Sequence, residues 1–414
     1  MQSPLVSLAQ LAPAASPPPR HAPGFDVDEA TERLAEALGE TAVSRDRAGG
    51  HAAAERRLIR ASGLLRLSVP HRFGGLGADW PTVFRSVRRL AEVDSALAHV
   101  YAFHHLQLAT VLLYGSSQQQ ARLLEETVTQ ELFWGNALNP LDTRLAAVPV
   151  EGGWRLDGVK SYASGSVGSD RLTLSAHVDA GDAPGGPALL IGIVPTQHPG
   201  ISVQPDWDSF GQRQTDSGSV RFEAVFLPHA DVLLPPGRPQ TPRATLRSQL
   251  AQLVLTHLYL GIARGAFDTA RHVILAAARP WFASGAARAG DDPYVQHRVG
   301  ELRLLVRPAE LAADAAVLAV QAALDRGEVL TPAERGEAAI AVAEAKVLAH
   351  RAAIEVSSQM FELTGARSTS AAQGLDRFWR NARVHTLHDP VDYKLRDIGR
   401  YALEQRAPDP SPYG

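Results

Sequence analysis

The sequence predicts an α+β fold in which a helical region, a β unit and a second helical region follow one another along the chain. Apolar residues recur at helical spacing from Phe25 to about Gly135, and this spacing returns from about Leu246 to Leu403. Between 136 and 228 the chain consists of short runs rich in β-branched and aromatic residues, separated by Gly, Pro and Asp, which is typical of a mostly antiparallel β unit. The predicted boundaries are a flexible arm at 1–24, an N-terminal helical domain at 25–135, a central β domain at 136–240 and a C-terminal helical bundle at 241–414.

The N-terminal helices are predicted from leucine spacing and from helix breakers. Leu34 and Leu38 stand four residues apart, and Pro70 ends the region that they begin. A second helical run is predicted from 80 to about 127, with an interruption at 115–117.

The C-terminal bundle carries clearer end signals. Thr331 and Glu334 form a capping-box pattern with proline at the first helical position, so a helix is predicted to begin there. Gly365 is a natural stop for this helix. Between these ends, apolar residues recur every seven residues and predict a buried stripe made of Ile340, Val347, Ile354 and Phe361.

The composition excludes several classes of protein. The 414 residues are 45% apolar and 21% charged with a net charge of -3, unlike a nucleic-acid-binding or disordered chain. There is no cysteine, which excludes disulfides, thiolate metal sites and a catalytic thiol. No apolar run is long enough to span a bilayer, and residues 1–24 lack the features of a signal peptide. We therefore expect a soluble, cytoplasmic protein that binds neither nucleic acid nor membranes.

Several common catalytic motifs are missing. The sequence has no dinucleotide-binding, P-loop, zincin or serine-hydrolase signature. His99, His104 and His105 fall in one predicted helix, but separations of five and one residues do not place imidazoles on one face. We therefore expect no metal site.

The densest polar stretch lies near the C-terminus, where residues 377–399 read RFWRNARVHTLHDPVDYKLRDIG. Two interpretations are open. The stretch is either a solvated charged face that ends at a turn, or a helix end that presents His388 into a cavity just before Pro390. Histidine suits such a site because it donates, accepts and titrates near neutral pH.

Five segments in order resemble the landmarks of a known superfamily. They read FGGLGADW, then YGSSQQQARLLEETVTQELFWGNALNP, GVKSYASG and SFGQRQTDSGSVRFEAVFLP, and finally QMFELTGA with GLDRFWRNARVHTLHDP. The superfamily is that of the acyl-CoA dehydrogenases, and the resemblance covers nearly the whole chain. The RQTDSGS loop and the RNARVHTLHDP ending look most like its flavin-dependent monooxygenases of the dibenzothiophene and sulfur-acquisition type. The resemblance implies an N-terminal α domain, an antiparallel β barrel or sandwich, a C-terminal four-helix bundle and a homotetramer.

The activity that this resemblance implies depends on one base. Acyl-CoA dehydrogenases remove an α-proton with a carboxylate, normally the Glu of a Tyr-Glu-Gly-like segment near the C-terminus. At that place this chain has His388, Asp389 and Pro390, and the stretch at 248–258 contains no acid. The resemblance therefore implies a monooxygenase that uses molecular oxygen and a flavin C4a-hydroperoxide to oxidise S or N of a small, largely apolar substrate.

Two alternatives stay open. One is an acyl-CoA dehydrogenase-like or nitroalkane-oxidase-like enzyme in which Asp389 is the base. The other is a flavin-binding or assembly protein that has kept the fold without turnover.

The resemblance also assigns catalytic and substrate-pocket residues. Asn136, Ser164 and His388 match the positions that surround the oxygen-bearing flavin, so they are the expected catalytic residues, and His388 is expected to matter more than His385. The expected substrate pocket contains His99, Phe103, Trp207 and Asp389. Phe103 departs from the family pattern, which has tyrosine there, and so removes one hydrogen-bond donor from the pocket.

The flavin itself is expected to contact two further groups of residues. Ser164, Asn136 and Trp207 are expected at its ring, whereas its phosphate is expected to meet Arg279, Gln296, Ser368 and Thr369, often across a subunit boundary. The cofactor is either FMN, bound in its reduced form as a co-substrate, or FAD. Because the chain has no nucleotide-binding motif, a separate flavin reductase is expected to supply the reduced flavin.

Overall fold

The computed structural model describes residues 24–178, 188–276 and 278–414. The predicted flexible arm at 1–24 lies outside these residues except for Gly24. The described chain forms ten α-helices and eight β-strands in the predicted order of helices, sheet and helices. Strands run from Trp134 to Leu234, and the predicted boundaries of the β domain were 136 and 240.

Five α-helices precede the sheet. Asp26 begins the first of them, since its side chain accepts a hydrogen bond from the Glu29 amide. The predicted run from 80 to 127 is divided at Asp94 as well as at Gly115. The Asp94 side chain accepts hydrogen bonds from two amides of the following turn and therefore starts a new helix. The helices are α1 (Val27–Ala48), α2 (Ala53–Ala61), α3 (Trp80–Val93), α4 (Ser95–Tyr114) and α5 (Ser117–Thr129).

The central sheet is mixed. Its strands are β1 (Trp134–Ala137), β2 (Leu145–Val150), β3 (Gly153–Lys160), β4 (Arg171–Val178), β5 (Ala188–Pro195), β6 (Ile201–Val203), β7 (Val220–Pro228) and β8 (Val232–Leu234). They are arranged in the order β6-β7-β3-β2-β4-β5-β8, and β1 pairs with β4 outside this path. Most pairings are antiparallel, as expected, but β1 and β2 both run parallel to β4. The parallel pairing places Asn136 of β1 opposite Thr173.

Three long helices and two shorter ones follow the sheet, where the sequence predicted a four-helix bundle. They are α6 (Leu246–Ala276), α7 (Pro293–Asp325), α8 (Pro332–Thr364), α9 (Asp376–His385) and α10 (Val391–Glu404). The predicted capping box is confirmed, because the Thr331 side chain accepts from the Glu334 amide and the Glu334 side chain accepts from the Thr331 amide. The helix ends at Gly365, as predicted.

Two helices are long, largely apolar and mostly buried. By length and composition alone α4 and α6 could each cross a membrane, but 89% and 83% of their most apolar 18-residue windows are buried inside the fold. Such helices lie in the middle of a core. They do so here, because one apolar cluster joins the N-terminal helices to the bundle through α6.

Candidate active site

Asn136 and Ser164 lie side by side between strand β1 and the loop after β3. The Asn136 amide donates to the Ser164 carbonyl oxygen at 2.9 Å, and both residues are buried. The Asn136 side-chain oxygen accepts from the Leu138 amide at 3.3 Å. Its side-chain nitrogen has no hydrogen-bond partner among the described residues, so Asn136 keeps a free pair of N–H donors.

A chain of hydroxyls leads from Ser164 into the loop before β7. Ser164 Oγ lies 2.8 Å from Ser217 Oγ, which donates to Thr215 Oγ1 at 2.8 Å. Thr215 Oγ1 in turn donates to the Gln212 carbonyl oxygen at 3.0 Å. Each hydroxyl has one proton and the carbonyl only accepts, so the protons are directed from Ser164 toward Gln212. Ser164 is therefore left as an acceptor for any further partner.

The same loop is attached to helix α9. The Gln212 amide donates to Asn381 Oδ1 at 2.6 Å, and Gln212 Nε2 donates to Ser95 Oγ at 3.1 Å. Gly211 lies so close to α9 that a Cβ atom there would stand 2.2 Å from the Arg380 carbonyl oxygen. Only glycine fits this approach. The hydroxyl chain of Ser164 thus ends at the face of α9 that carries Asn381.

His99 of α4 meets His385, which stands one helical turn after Asn381. His99 Nδ1 lies 2.7 Å from His385 Nε2, and both rings are buried. The outer nitrogens, His99 Nε2 and His385 Nδ1, are buried and have no hydrogen-bond partner among the described residues. The Tyr259 hydroxyl fixes this end of α9 by donating to the His385 carbonyl oxygen at 2.9 Å.

Both histidines are neutral at physiological pH. Burial lowers the pKa of His385 to about 3, helped by the nearby His388 and Lys346. Burial also holds the pKa of His99 well below its usual value, with a further contribution from His385. Two neutral imidazoles joined by one hydrogen bond have one remaining proton, so their two outer nitrogens always offer one donor and one acceptor.

The predicted aromatic residues line different parts of this region. Phe103 is buried and stacks on His99 with ring centroids 4.1 Å apart. Trp207 is bound to the loop that carries the hydroxyl chain, since its Nε1 donates to the Gln212 carbonyl oxygen at 2.9 Å. The structure therefore brings Asn136, Ser164, His99, Phe103 and Trp207 into one connected region.

Asp389 and His388 lie in the turn between α9 and α10. Asp389 Oδ1 is 2.5 Å from the buried Lys346 Nζ and 3.0 Å from His388 Nδ1. Burial alone would raise the pKa of Asp389, but hydrogen bonds from His388 and Lys346 lower it well below its usual range. Burial also lowers the pKa of Lys346 to about 8, a value at which the amine is still mostly protonated at pH 7. Asp389 is thus a paired carboxylate.

The sequence led us to expect that His388 enters a cavity, but the structure does not enclose this side chain. Its side chain keeps 40% of its exposure, and its ring centroid lies 5.6 Å from that of Tyr413. The reason is that α9 ends at His385, which leaves His388 in the following turn. The imidazole that this segment buries is that of His385.

The predicted phosphate contacts lie at one end of the bundle. Arg279 and Gln296 are exposed around the connection between α6 and α7, and Gln296 Nε2 donates to the Gly290 carbonyl oxygen. Ser368 is buried and donates to the Thr364 carbonyl oxygen at 3.2 Å, whereas Thr369 is exposed. None of these four side chains hydrogen-bonds to Asn136, Ser164 or Trp207 within the described residues.

Sequence reasoning missed the residues that connect the site. Gln212, Thr215 and Ser217 belong to the SFGQRQTDSGSVRFEAVFLP segment, which was used only as a landmark. A run of small hydroxyl and amide side chains beside glycine was the available signal, because such residues form local hydrogen bonds in loops. Asn381 and Tyr259 gave no comparable signal.

Two family profiles match the chain. The profile described as "Acyl-CoA dehydrogenase, N-terminal domain" matches residues 27–131, and "Acyl-CoA dehydrogenase, C-terminal domain" matches residues 253–393. Together they cover more than half of the sequence.

Individual relatives extend over almost the whole chain. A probable FMNH2-dependent monooxygenase, SfnC of Pseudomonas putida, is 46% identical over 92% of this chain and 95% of its own length. A dibenzothiophene monooxygenase of Rhodococcus qingshengii is 41% identical over 95% of this chain and 96% of its own. The solved structure of methanesulfinate monooxygenase MsuC from Pseudomonas fluorescens superposes with a TM-score of 0.91 at 45% identity, covering 94% of this chain and 100% of that one. The chain therefore belongs to the acyl-CoA dehydrogenase family and is one of its flavin-dependent monooxygenases.

Proposed function

We propose that this chain is the oxygenase of a two-component system that uses reduced FMN and dioxygen to oxidise the sulfur of a small organic compound. The relatives named for FMNH2, dibenzothiophene and methanesulfinate support this choice of cofactor and element. The observation that carries it is the state of Asp389. The carboxylate at the dehydrogenase base position is bound to Lys346 and His388, while the buried site offers neutral imidazoles, an amide and a hydroxyl.

The residues present fit reduced FMN. The edge of its ring system carries carbonyl oxygens that need donors, and in the reduced state it also carries an N5–H that needs an acceptor. Asn136 has free N–H donors, and the hydroxyl chain leaves Ser164 as an acceptor. Reduced FMN, when bound, supplies two electrons for the reduction of dioxygen, of which one atom enters the substrate and the other leaves as water.

The phosphate of FMN needs cations and hydroxyls that are free to meet it. Arg279 and Gln296 are exposed around the connection between α6 and α7, and Thr369 is exposed in the turn that follows α8. Among the residues that the structure describes, none of these side chains hydrogen-bonds to Asn136, Ser164 or Trp207. We infer that they serve a second copy of the chain in a homotetramer.

The His99 and His385 pair can donate a proton to the site and accept one from it. His99 Nε2 and His385 Nδ1 together present one donor and one acceptor, and the shared hydrogen bond allows these roles to exchange. The pair can therefore hold a proton toward a reduced oxygen species and take one back without a net charge. The buried Phe103 and Tyr259 rings exclude water around it, which limits the release of hydrogen peroxide.

The dehydrogenase alternative needs Asp389 to accept a proton from a substrate carbon. A carboxylate whose pKa is lowered by Lys346 and His388 is a weak base for that step. Asp389 instead holds the turn between α9 and α10 to α8, and with it the end of α9 that carries His385.

The test is product formation from the purified chain with photoreduced FMN and ¹⁸O₂, using dimethyl sulfide, dibenzothiophene and methanesulfinate as substrates. We expect one ¹⁸O atom in the product of at least one of them. Hydrogen peroxide as the sole product would support a protein without turnover, and anaerobic bleaching of oxidised FMN by nitroethane or butyryl-CoA would support the Asp389 alternative.

The reductase partner is tested separately. An NADH-dependent flavin reductase is placed behind a dialysis membrane that passes FMN but not protein. Continued oxygenation would support transfer by diffusion of reduced FMN, and loss of oxygenation would require a complex of the two proteins. Light scattering of the chain alone tests the tetramer.

A further inference from the structure

The backbone of Asp216 turns in the middle of the hydroxyl chain. Its φ is 49°, in the left-handed region that residues other than glycine rarely adopt. In an extended strand, residues that are two apart along the chain stand about 6.6 Å from each other, because each residue adds about 3.3 Å. Ser217 Oγ nevertheless lies 2.8 Å from Thr215 Oγ1. The turn at Asp216 therefore brings these two hydroxyls into contact.

Left-handed backbone is concentrated around Ser164. Within the described chain six residues other than glycine have a positive φ, and three of them are Tyr162, Gln212 and Asp216. Tyr162 stands two residues before Ser164, and Gln212 ends the hydroxyl chain. A left-handed φ costs conformational free energy in a residue with a Cβ atom, so such residues persist only where surrounding contacts hold them. For Asp216 these contacts are made by its side chain.

The Asp216 carboxylate is buried against two side chains of the N-terminal helical domain. Its Oδ2 atom lies 2.8 Å from His51 Nδ1 and 3.6 Å from Arg56 Nη1. Burial lowers the pKa of Arg56 to about 10, and Asp216 is the carboxylate that opposes this change most strongly. The guanidinium therefore stays charged at pH 7, and Asp216 is its counter-ion. Water screens such a buried attraction only weakly.

Arg56 also contacts the loop that carries Ser164. It donates to the Gly165 carbonyl oxygen at 3.3 Å. The Gly165 amide in turn donates to the Thr215 carbonyl oxygen at 2.8 Å, so the two loops are joined directly beside Ser164. The position of the Ser164 hydroxyl thus depends on the segment that Asp216 holds in place.

We propose that Asp216 is a positioning residue for the flavin site: its fixed side chain keeps the turn in which Ser217 donates to Thr215. This inference rests on the proposed function, in which the site binds reduced FMN. While Ser217 donates to Thr215, it only accepts from Ser164, and Ser164 is left as an acceptor. If the turn opens, the proton of Ser217 is free to point to Ser164, whose own proton then points to the flavin.

The ratio of the affinity for reduced FMN to that for oxidised FMN reports the direction of the chain without turnover. Titrations of the protein with FMNH2 under argon and with FMN in air give the two affinities. Asp216→Ala removes the carboxylate and disfavours the turn, so we expect the ratio to fall about 3- to 10-fold, the value of one hydrogen bond. Asp216→Asn is expected to keep it within about twofold, because asparagine tolerates left-handed backbone and its amide oxygen can accept from His51. A ratio unchanged by Asp216→Ala would overturn the proposal.

A direct effect of the Asp216 charge on the flavin has the opposite sign. Loss of a negative charge favours the reduced ring system, which is richer in electrons, and would raise the ratio equally in Asp216→Ala and Asp216→Asn. That result would refute a role through the turn. Asp208→Ala is the matched control, since it removes an exposed carboxylate of the same loop, and it is expected to leave the ratio unchanged.

A double variant tests the path through Ser217. In a Ser217→Ala background Ser164 has already lost this acceptor, so Asp216→Ala is expected to lower the ratio no further. An equal fall in both backgrounds would show that Asp216 acts on the flavin by another route and would contradict the proposal.

Asp216→Ala also leaves the buried Arg56 without its carboxylate, so a thermal melt verifies that it folds. His51→Ala tests the same contact at a side chain that is 29% exposed, and we expect the ratio to fall about 2- to 3-fold. An unchanged ratio in His51→Ala would overturn the proposal even if Asp216→Ala failed to fold. If the unsubstituted protein binds neither flavin, the proposed function fails and this inference with it. If it prefers FMNH2 and the variants keep that preference, only the role of Asp216 fails.

Discussion

His99 Nδ1 lies 2.7 Å from His385 Nε2, although 286 residues separate the two along the chain. Each ring is buried, and within the part of the chain that the structure describes each outer nitrogen lacks a hydrogen-bond partner. In either tautomer one outer nitrogen of the pair is a donor and the other is an acceptor, and the two roles can be exchanged. A single histidine with a fixed partner cannot make this exchange. The pair lies beside Phe103, and His385 follows by one helical turn Asn381, the residue of α9 to which Gln212 is bonded.

Removal of either member of this pair is expected to uncouple oxygen reduction from product formation. His385→Ala leaves the His99 ring without its shared proton, so we expect about 10²-fold less oxygenated product per FMNH2 consumed, in the range of a lost acid–base group. His388→Ala is expected to cost much less, because His388 is exposed and contacts Asp389. The sequence favoured the opposite order.

The ratio of product to hydrogen peroxide is the measurement for both variants. His385→Gln serves as a control, since it keeps a polar group of similar size without the relay. Equal product yields from His385→Ala and His388→Ala would contradict the role of the pair.

The predicted parts of the fold were those that depend on local sequence. The capping box at Thr331 and the stop at Gly365 are determined by residues within one turn, and both are present. Asn136 and Ser164 were identified because the segments that contain them, WGNALNP and YASG, resemble motifs of the family. Which of His385 and His388 is buried depends on where α9 ends, and that end is held by Tyr259 and by the contact of Gln212 with Asn381.

The same limit explains the missed charge pair. Lys346 lies in the middle of α8, and its partner Asp389 follows 43 residues later in a turn. The spacing of apolar residues around Lys346 does not indicate that its side chain faces a carboxylate. Such contacts depend on how α8 packs against α9 and the turn after it. No periodic pattern in a single sequence predicts this packing.

Breaking the Lys346–Asp389 pair is expected to destabilise the protein. Lys346→Met leaves a buried carboxylate without its cation, so we expect a loss of about 3–5 kcal/mol in the free energy of unfolding and a rise in the pKa of Asp389. The double variant Lys346→Met with Asp389→Leu removes both charges and is expected to recover most of the loss. Guanidinium unfolding of the single and double variants measures this. A double variant no more stable than Lys346→Met would show that the pair is not the source of the loss.

Buried neutral histidines are expected to make stability depend on pH. His257 stacks on Phe84, and both of its ring nitrogens are buried with no hydrogen-bond partner in residues 24–178, 188–276 and 278–414. Burial holds its pKa well below the usual value, so below about pH 6.5 the unfolded chain takes up a proton that the folded chain does not, and stability falls as the pH falls. The free energy of unfolding of His257→Leu is compared with that of the unsubstituted protein at pH 7.5 and at pH 5. This difference is expected to shift in favour of the variant by about 2 kcal/mol at the lower pH.

Chemical unfolding at the two pH values gives this difference. His297→Leu is the matched control, because it makes the same substitution at a side chain that is 72% exposed. An equal pH response of the two variants would mean that burial of His257 does not contribute to the acid sensitivity of the fold.

The direction of the hydroxyl chain predicts that the protein prefers reduced over oxidised FMN. The proton of Ser164 is committed to Ser217, so Ser164 can accept from the N5–H of reduced FMN but has no proton for the bare N5 of oxidised FMN. Ser164→Ala is expected to lower the ratio of the affinity for reduced FMN to that for oxidised FMN about 3- to 10-fold, the value of one hydrogen bond. The change comes from weaker binding of reduced FMN.

Anaerobic titration with FMNH2 and aerobic titration with FMN measure the two affinities, and Ser161→Ala, at the other end of the same loop, is the control. If Ser164→Ala weakened only oxidised FMN, the Ser164 hydroxyl would have to donate to the flavin, and Ser217 instead of Ser164 would donate in the bond between the two serines.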